Sequence, residues 1–165
     1  MDSIINFLRG IGTDYLGRTH AEILGCDDIK MEKCHSQIQQ IFPLHEKSQM
    51  TQNDPIITPE IVEESKKYPE IKENFRKALD RMNRFYMVGI YDIDPDIYHE
   101  MWDDDYNHNF LRITRIIRSL RLFGLEEEAR EFYKNVNEID KQIGLSNSAQ
   151  YWKKAMEDDV WKTLR

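Results

Sequence analysis

The sequence contains no apolar run that approaches the roughly 20 residues of a membrane-spanning helix. It has only two cysteines, Cys26 and Cys34. Two cysteines are too few for a disulfide framework and are typical of a reducing compartment, although they stay compatible with one bridge. The amino terminus lacks the basic flank of a secretory signal. These absences exclude a helical membrane protein and a disulfide scaffold, and we expect a cytoplasmic protein.

The sequence also lacks alternating strand patterns, internal repeats and any catalytic motif. Almost every segment has the three- and four-residue apolar spacing of a helix. The predicted fold is therefore all-α, an irregular bundle of about seven or eight helices. At 165 residues the chain is expected to form one domain over residues 1–165. The net charge of −7 argues against nucleic acid as the main partner.

Capping residues and glycines mark the expected helix ends. Thr19 and Asp27 have the side chains that cap helix starts, and Gly124 is expected to end a helix in a left-handed turn. Asp27 is predicted to begin a single helix that extends through residue 42. A longer amphipathic helix is predicted over residues 69–91.

Residues 107–125 carry four arginines at three-residue steps: Arg112, Arg115, Arg118 and Arg121. The apolar residues between them lie on one helix face, which predicts that this half packs into the core. A three-residue step falls about 60° short of a full turn, so the arginines spread across the other half. Arginine can hold a carboxylate or phosphate through two parallel hydrogen bonds, so this row is a candidate anion site. The alternative is neutralisation by the flanking acids at 103–105 and 126–128.

Other residues have side chains that could bind a metal ion or nucleic acid, but their spacing fits the known motifs poorly. Residues 92–103 imitate a calcium loop, but Ile97 stands where the sharp turn needs glycine. Four possible metal ligands lack the spacing of a zinc site: His20, Cys26, Cys34 and His35. We therefore expect no metal and no other cofactor. The helix pair around Gly124 could suggest a DNA-binding helix-turn-helix. Four arginines on an acidic chain, however, supply little positive charge for contacts with the phosphate backbone.

Three blocks of sequence are similar to a known family. They are EILGCDDIKMEKCHSQIQQIFPL at 22–44, LRITRIIRSLRLFGLE at 111–126 and SNSAQYWKKAM at 146–156. Together they resemble the conserved amino-terminal region of the opioid growth factor receptors, which we expect to cover about residues 20–158. The resemblance implies an all-helical domain and, from the animal receptors, binding of the opioid peptide enkephalin. Gln40 stands where the family usually has tryptophan.

These observations predict a non-enzymatic module that binds a short peptide, or a protein, with an anionic group. The predicted site lies where the arginine helix meets the helix of His35. Its expected residues are His35, Gln39, Trp102, Asn107, His108, Arg112, Arg115 and Arg118. Two alternatives stay open. One is an enzyme acting on an anionic small molecule, with His35 or His108 as acid–base and the arginines as a clamp. The other is a protein–protein scaffold without a small-ligand site.

Overall fold

The computed structural model describes residues 2–47, 53–86, 108–143 and 149–162. These ranges contain nine helices: α1 (Asp2–Leu8), α2 (His20–Leu24), α3 (Asp28–Lys33), α4 (His35–Ile41), α5 (Pro59–Ser65), α6 (Pro69–Phe85), α7 (His108–Leu122), α8 (Glu126–Ile143) and α9 (Ala149–Glu157). The extended pairings in the same ranges are two isolated bridges, 13 with 19 and 44 with 56. The predicted all-α fold is confirmed.

The predicted capping residues begin and end the helices where expected. The Thr19 side chain accepts a hydrogen bond from the Glu22 backbone N–H at 3.2 Å, and the Glu22 carboxylate accepts one from Thr19 N at 2.7 Å. This reciprocal pair is a capping box. Asp27 accepts from Lys30 N at 2.7 Å and begins α3. Gly124 follows α7 with a φ of +70°, a left-handed conformation that favours glycine.

The helix predicted from Asp27 through residue 42 is in fact two helices. The backbone leaves the helical conformation at Cys34, where φ is −103° and ψ is 86°. This corner turns α4 inward, so that Gln37, Gln39 and Gln40 are only 1–4% exposed. Apolar periodicity did not predict this burial, because glutamines between apolar residues are typical of a helix face that contacts solvent. The break raises the helix number in the described ranges to nine.

The core forms where α7 packs against α8 and α9. The apolar half of α7 is fully buried, with Ile113, Ile116, Ile117 and Leu120 at 0% exposure. Trp152 of α9 is also buried, and its indole N–H donates to the Phe110 carbonyl at 3.1 Å. Because a buried indole N–H needs an acceptor, this bond joins α9 to the first turn of α7. The predicted core face of the arginine helix is therefore confirmed.

The end of the helix predicted over residues 69–91, from residue 87 to 91, falls outside the described residues. A bilayer-crossing helix is absent from the described ranges, where even the 18-residue α8 carries charged residues along its length.

His20 introduces a pH-sensitive group into the fold. It begins α2, is 3% exposed, and its ring centroid lies 5.7 Å from that of Phe7. Burial, together with a smaller contribution from the nearby charge of Lys77, lowers the pKa of His20 from 6.5 to about 4. Burial in apolar surroundings disfavours the charged imidazolium.

We expect the free energy of unfolding to fall by about 3 kcal/mol, through His20 alone, as the pH drops from 7 to 4. The unfolded chain binds a proton on this histidine below pH 6.5, whereas the folded chain resists protonation down to about pH 4. Urea unfolding of wild type and His20→Gln across this range measures the effect. Parallel pH profiles for the two proteins would contradict it.

Candidate functional site

Arg112 connects α7 to the end of α3. Its guanidinium is 3% exposed. Nη1 donates to the Glu32 carboxylate at 3.2 Å, and Nη2 donates to the Glu32 backbone carbonyl at 2.8 Å. Nη1 also lies 3.3 Å from the side-chain oxygen of Asn109, its acceptor one turn earlier. Arg112 therefore links α7 to α3 inside the bundle.

Arg118 and Arg121 bind the carboxyl-terminal part of the described chain. Arg118 is 3% exposed, forms an ion pair with Glu46, and donates through Nη2 to the Lys162 carbonyl at 2.9 Å. Arg121 donates through Nη1 to the Ala155 carbonyl of α9 at 2.6 Å. The last carbonyls of a helix have no intrahelical partner, so Arg121 satisfies an acceptor that the backbone of α9 leaves open, and Arg118 holds the segment that follows α9.

The carboxylates that neutralise the row come from two sources. Arg121 pairs with Glu126 at 3.2 Å, one of the flanking acids considered from sequence. The two most buried arginines instead take Glu32 and Glu46, which lie more than 70 positions away in the chain. The acids at 103–105 lie outside the described residues.

Arg115 differs from its neighbours in the row. Its Nη1 donates to the Phe42 carbonyl at 3.2 Å, but no carboxylate of the described residues lies within ion-pair distance. The side chain is half-buried. Burial lowers the pKa of Arg115 to about 10, against the opposing influence of Asp54 and Glu46. At neutral pH the guanidinium therefore carries a positive charge that its protein environment only partly compensates.

The structure describes five of the eight predicted site residues completely. Arg112 donates to the Glu32 carbonyl near the end of α3, and Arg115 donates to the Phe42 carbonyl just after α4. His35 begins α4 and is half-buried, and Gln39 is buried in the same helix. Arg118 faces the carboxyl-terminal segment. Three members lie outside the described residues, wholly or in their side chains: Trp102, Asn107 and His108. The complete predicted site stays a prediction.

A cleft of about 240 Å³ lies on another face of α4. Residues of α1, the 13–15 turn, the end of α4 and the segment 53–55 line it. Gln40 lies in its wall at 4% exposure, and its Nε2 has no hydrogen-bond partner among the described residues. Sequence reasoning did not include Gln40 among the site residues. The available signal was a glutamine immediately before the apolar residues Ile41, Phe42 and Pro43.

A second cleft, of about 280 Å³, lies between α6 and α8 and has a charged lining. Arg76 of α6 donates across it to Glu128 of α8 at 2.8 Å. The described residues that line the two clefts include no histidine. In the described ranges, moreover, no three His, Cys, Asp or Glu side chains are grouped closely enough to hold a metal ion.

The two cysteines are free thiols, and Cys34 lies in a polar cluster at the α3–α4 corner. The Arg18 guanidinium donates to the Cys34 sulfur at 3.6 Å, and the Ser36 hydroxyl lies 3.5 Å from the same sulfur. Burial raises the pKa of Cys34, but the bonds from Ser36 and Arg18 outweigh it and hold the pKa below its usual value. A lowered pKa increases the thiolate fraction, which is the reactive form.

We expect Arg18→Met to shift the pH midpoint of Cys34 alkylation to higher pH, because the thiolate loses its cationic neighbour. Iodoacetamide rates in a Cys26→Ser background isolate Cys34. The rate plateau at high pH corrects for any change in access to the sulfur. Arg76→Met, which removes an arginine from the other side of the bundle, should leave the midpoint in place; equal midpoints for Arg18→Met and wild type would refute the assignment.

The arginine row should divide into structural members and one dispensable member. We expect Arg112→Met and Arg118→Met each to lower the unfolding free energy by about 2–4 kcal/mol, because each strands a carboxylate and at least one carbonyl. Arg115→Met should cost only about 1 kcal/mol, since it removes one hydrogen bond. Urea unfolding measures all three, and equal losses would show that Arg115 is structural as well.

Comparison with known proteins identifies the family. Residues 24–137 match the family described as the opioid growth factor receptor conserved region. The chain is 33% identical over 106 residues to the opioid growth factor receptor of Mus musculus, which covers 58% of this chain and 16% of that protein. It is 34% identical over 104 residues to opioid growth factor receptor-like protein 1 of Rattus norvegicus, covering 59% and 22%. The match thus spans less than a quarter of these relatives, and no solved structure matches. The chain belongs to the opioid growth factor receptor conserved-region family.

Proposed function

We propose that this domain is a non-enzymatic binding module, which recognises a short peptide or a protein segment through an anionic group. Its relatives include proteins named as growth factor receptors, and a receptor role requires a ligand. The free thiols Cys26 and Cys34 support a reducing, cytoplasmic setting for this activity. The proposal treats residues 1–165 as one domain.

The partly compensated charge of Arg115 is the observation that carries the proposal. Its guanidinium has five N–H donors, and the described contacts use one of them on the Phe42 carbonyl. Because the side chain is half-buried, an arriving carboxylate would meet it in surroundings less polar than water. There a charge-assisted, bidentate pair is stronger than on an open surface.

The neighbours of Arg115 support its assignment to a ligand. Arg112 and Arg118 already hold Glu32 and Glu46, so their charges are engaged inside the protein. A ligand carboxylate would therefore compete with an ion-paired acid at those two positions, whereas no acid of the described residues is ion-paired with Arg115. In the proposed site, His35 and Gln39 of α4 supply polar contacts. The three remaining members, Trp102, Asn107 and His108, complete the wall as a prediction from sequence.

Enkephalin with a free carboxyl terminus should stabilise the wild-type domain, and enkephalin amide should stabilise it much less. At 100 times its dissociation constant, a ligand that binds only the folded state adds about 2.7 kcal/mol. Thermal unfolding with each peptide, compared with the same protein alone, measures the shift. Acetate and phosphate serve as minimal anionic probes.

The variants make the experiment specific to Arg115. Arg115→Met should lose the response to the free carboxylate, whereas Arg76→Met should retain it because Arg76 pairs with Glu73 and Glu128 on α6 and α8. An equal response from Arg115→Met and wild type would move the anion site elsewhere. No response from any probe would favour the scaffold alternative.

A further inference from the structure

We propose that the cleft between α1 and the end of α4 is a separate site for an uncharged polypeptide segment. In this site the Gln40 side-chain amide donates to a ligand backbone carbonyl, and the apolar wall receives one adjacent side chain. The proposal shares with the proposed function only the idea that the ligand is a polypeptide. It involves neither Arg115 nor an anion.

Gln40 is the first observation behind this site. Its side chain is 4% exposed, and Nε2 has no partner among the described residues. By contrast, the Gln37 amide oxygen accepts from the Cys26 thiol at 3.3 Å within the same helix environment. A buried amide donor without a partner is unfavourable for folding, so each such group in a structure needs an explanation. A ligand acceptor in the cleft would complete this bond.

The apolar lining indicates what else the ligand carries. Phe7 and Leu8 of α1 form one wall, and Pro43 and Pro55 form another. The volume of about 240 Å³ is below the roughly 300–1,000 Å³ of pockets for drug-sized ligands. It suits one apolar residue with its backbone. Tyr15, 46% exposed at the rim, offers an aromatic surface to the residues on either side.

The charge of the cleft favours a neutral ligand segment. Among the described residues that line it there is no lysine or arginine, and the one ionisable acid is Asp14. The Asp14 carboxylate accepts from the backbone N–H groups of Leu16 and Arg18 and pairs with the Arg18 side chain at 2.6 Å. The charge of Arg18 is therefore already paired with Asp14 and is not available to bind a ligand anion. The cleft and the environment of Arg115 therefore select opposite ligand chemistry.

The test uses N-acetyl-L-phenylalaninamide, a neutral probe with one apolar side chain and two carbonyl acceptors. We expect millimolar probe to shift the Gln40 side-chain amide signals saturably in ¹H–¹⁵N NMR spectra of the labelled chain. Gln40→Met keeps the approximate length of the side chain but replaces its amide by an apolar thioether and so removes the donor. It should weaken binding at least about tenfold. It should also leave the melting temperature unchanged or raised, because an unpartnered amide has been removed.

The stability measurement separates a ligand role from a structural one. If Gln40 were needed for folding, Gln40→Met would lower the melting temperature, and that result with unchanged probe binding would overturn the proposal. Asn83→Leu is the matched control. Asn83 also has a buried, unpartnered side-chain oxygen but lies in the other cleft, so this variant should bind the probe like wild type. If Gln40→Met does not fold, Tyr15→Ala at the exposed rim serves instead, and it should weaken binding of the probe.

The two proposals can fail independently. Arg115→Met should bind the neutral probe normally, and N-acetyl-L-phenylalanine, which carries a carboxylate, should bind the cleft more weakly than the amide. An enkephalin response without any saturable shift at Gln40 would overturn the cleft site alone. A saturable shift at Gln40 without an enkephalin response would overturn the anion site alone.

Discussion

Buried guanidinium groups that bind the carbonyls of other segments are the interaction on which this bundle depends. The last carbonyls of an α-helix have no partner within the helix. Here Arg81 of α6 donates to the Leu24 carbonyl at the end of α2, at 3.2 Å. Arg112 of α7 does the same for Glu32 near the end of α3, at 2.8 Å. Arg121 binds carbonyls at the end of α9.

This interaction matters because several helices are too short to be stable alone. The first five helices have five to seven residues each, whereas isolated helices below about 12–15 residues are marginal in water. Their ends therefore need partners from elsewhere in the fold. The arginines come from α6 and α7, which are longer than these first five helices. Each guanidinium can bind several acceptors at once. Arginine side chains that would face solvent on a simple amphipathic helix are therefore buried inside this bundle.

The same constraint shapes the two proposed ligand sites, which both involve α4. The end of this helix is held by Arg115 through the Phe42 carbonyl and by Ser119 through the Pro43 carbonyl, at 3.2 and 2.9 Å. Gln40 lies one position before Ile41, the last residue of α4, and lines the cleft with α1. Among the described residues, a guanidinium without an ion-paired carboxylate and an amide donor without an acceptor thus lie near one short helix. Because their ligand preferences differ in charge, one extended polypeptide could satisfy both only with a neutral segment and an anionic end.

The all-α class, the caps at Thr19 and Asp27, the left-handed Gly124 and the buried face of α7 could be predicted from the sequence, because each depends on neighbours within a few residues. The helix break at Cys34 and the burial of the α4 glutamines could not, because they depend on how distant segments pack. The tertiary structure also decided which arginines are engaged. The pairing of Arg112 with Glu32 crosses 80 positions, and no local period encodes such a partner. Helical periodicity shows which face a side chain occupies, but burial and charge compensation depend on the segment that packs against that face.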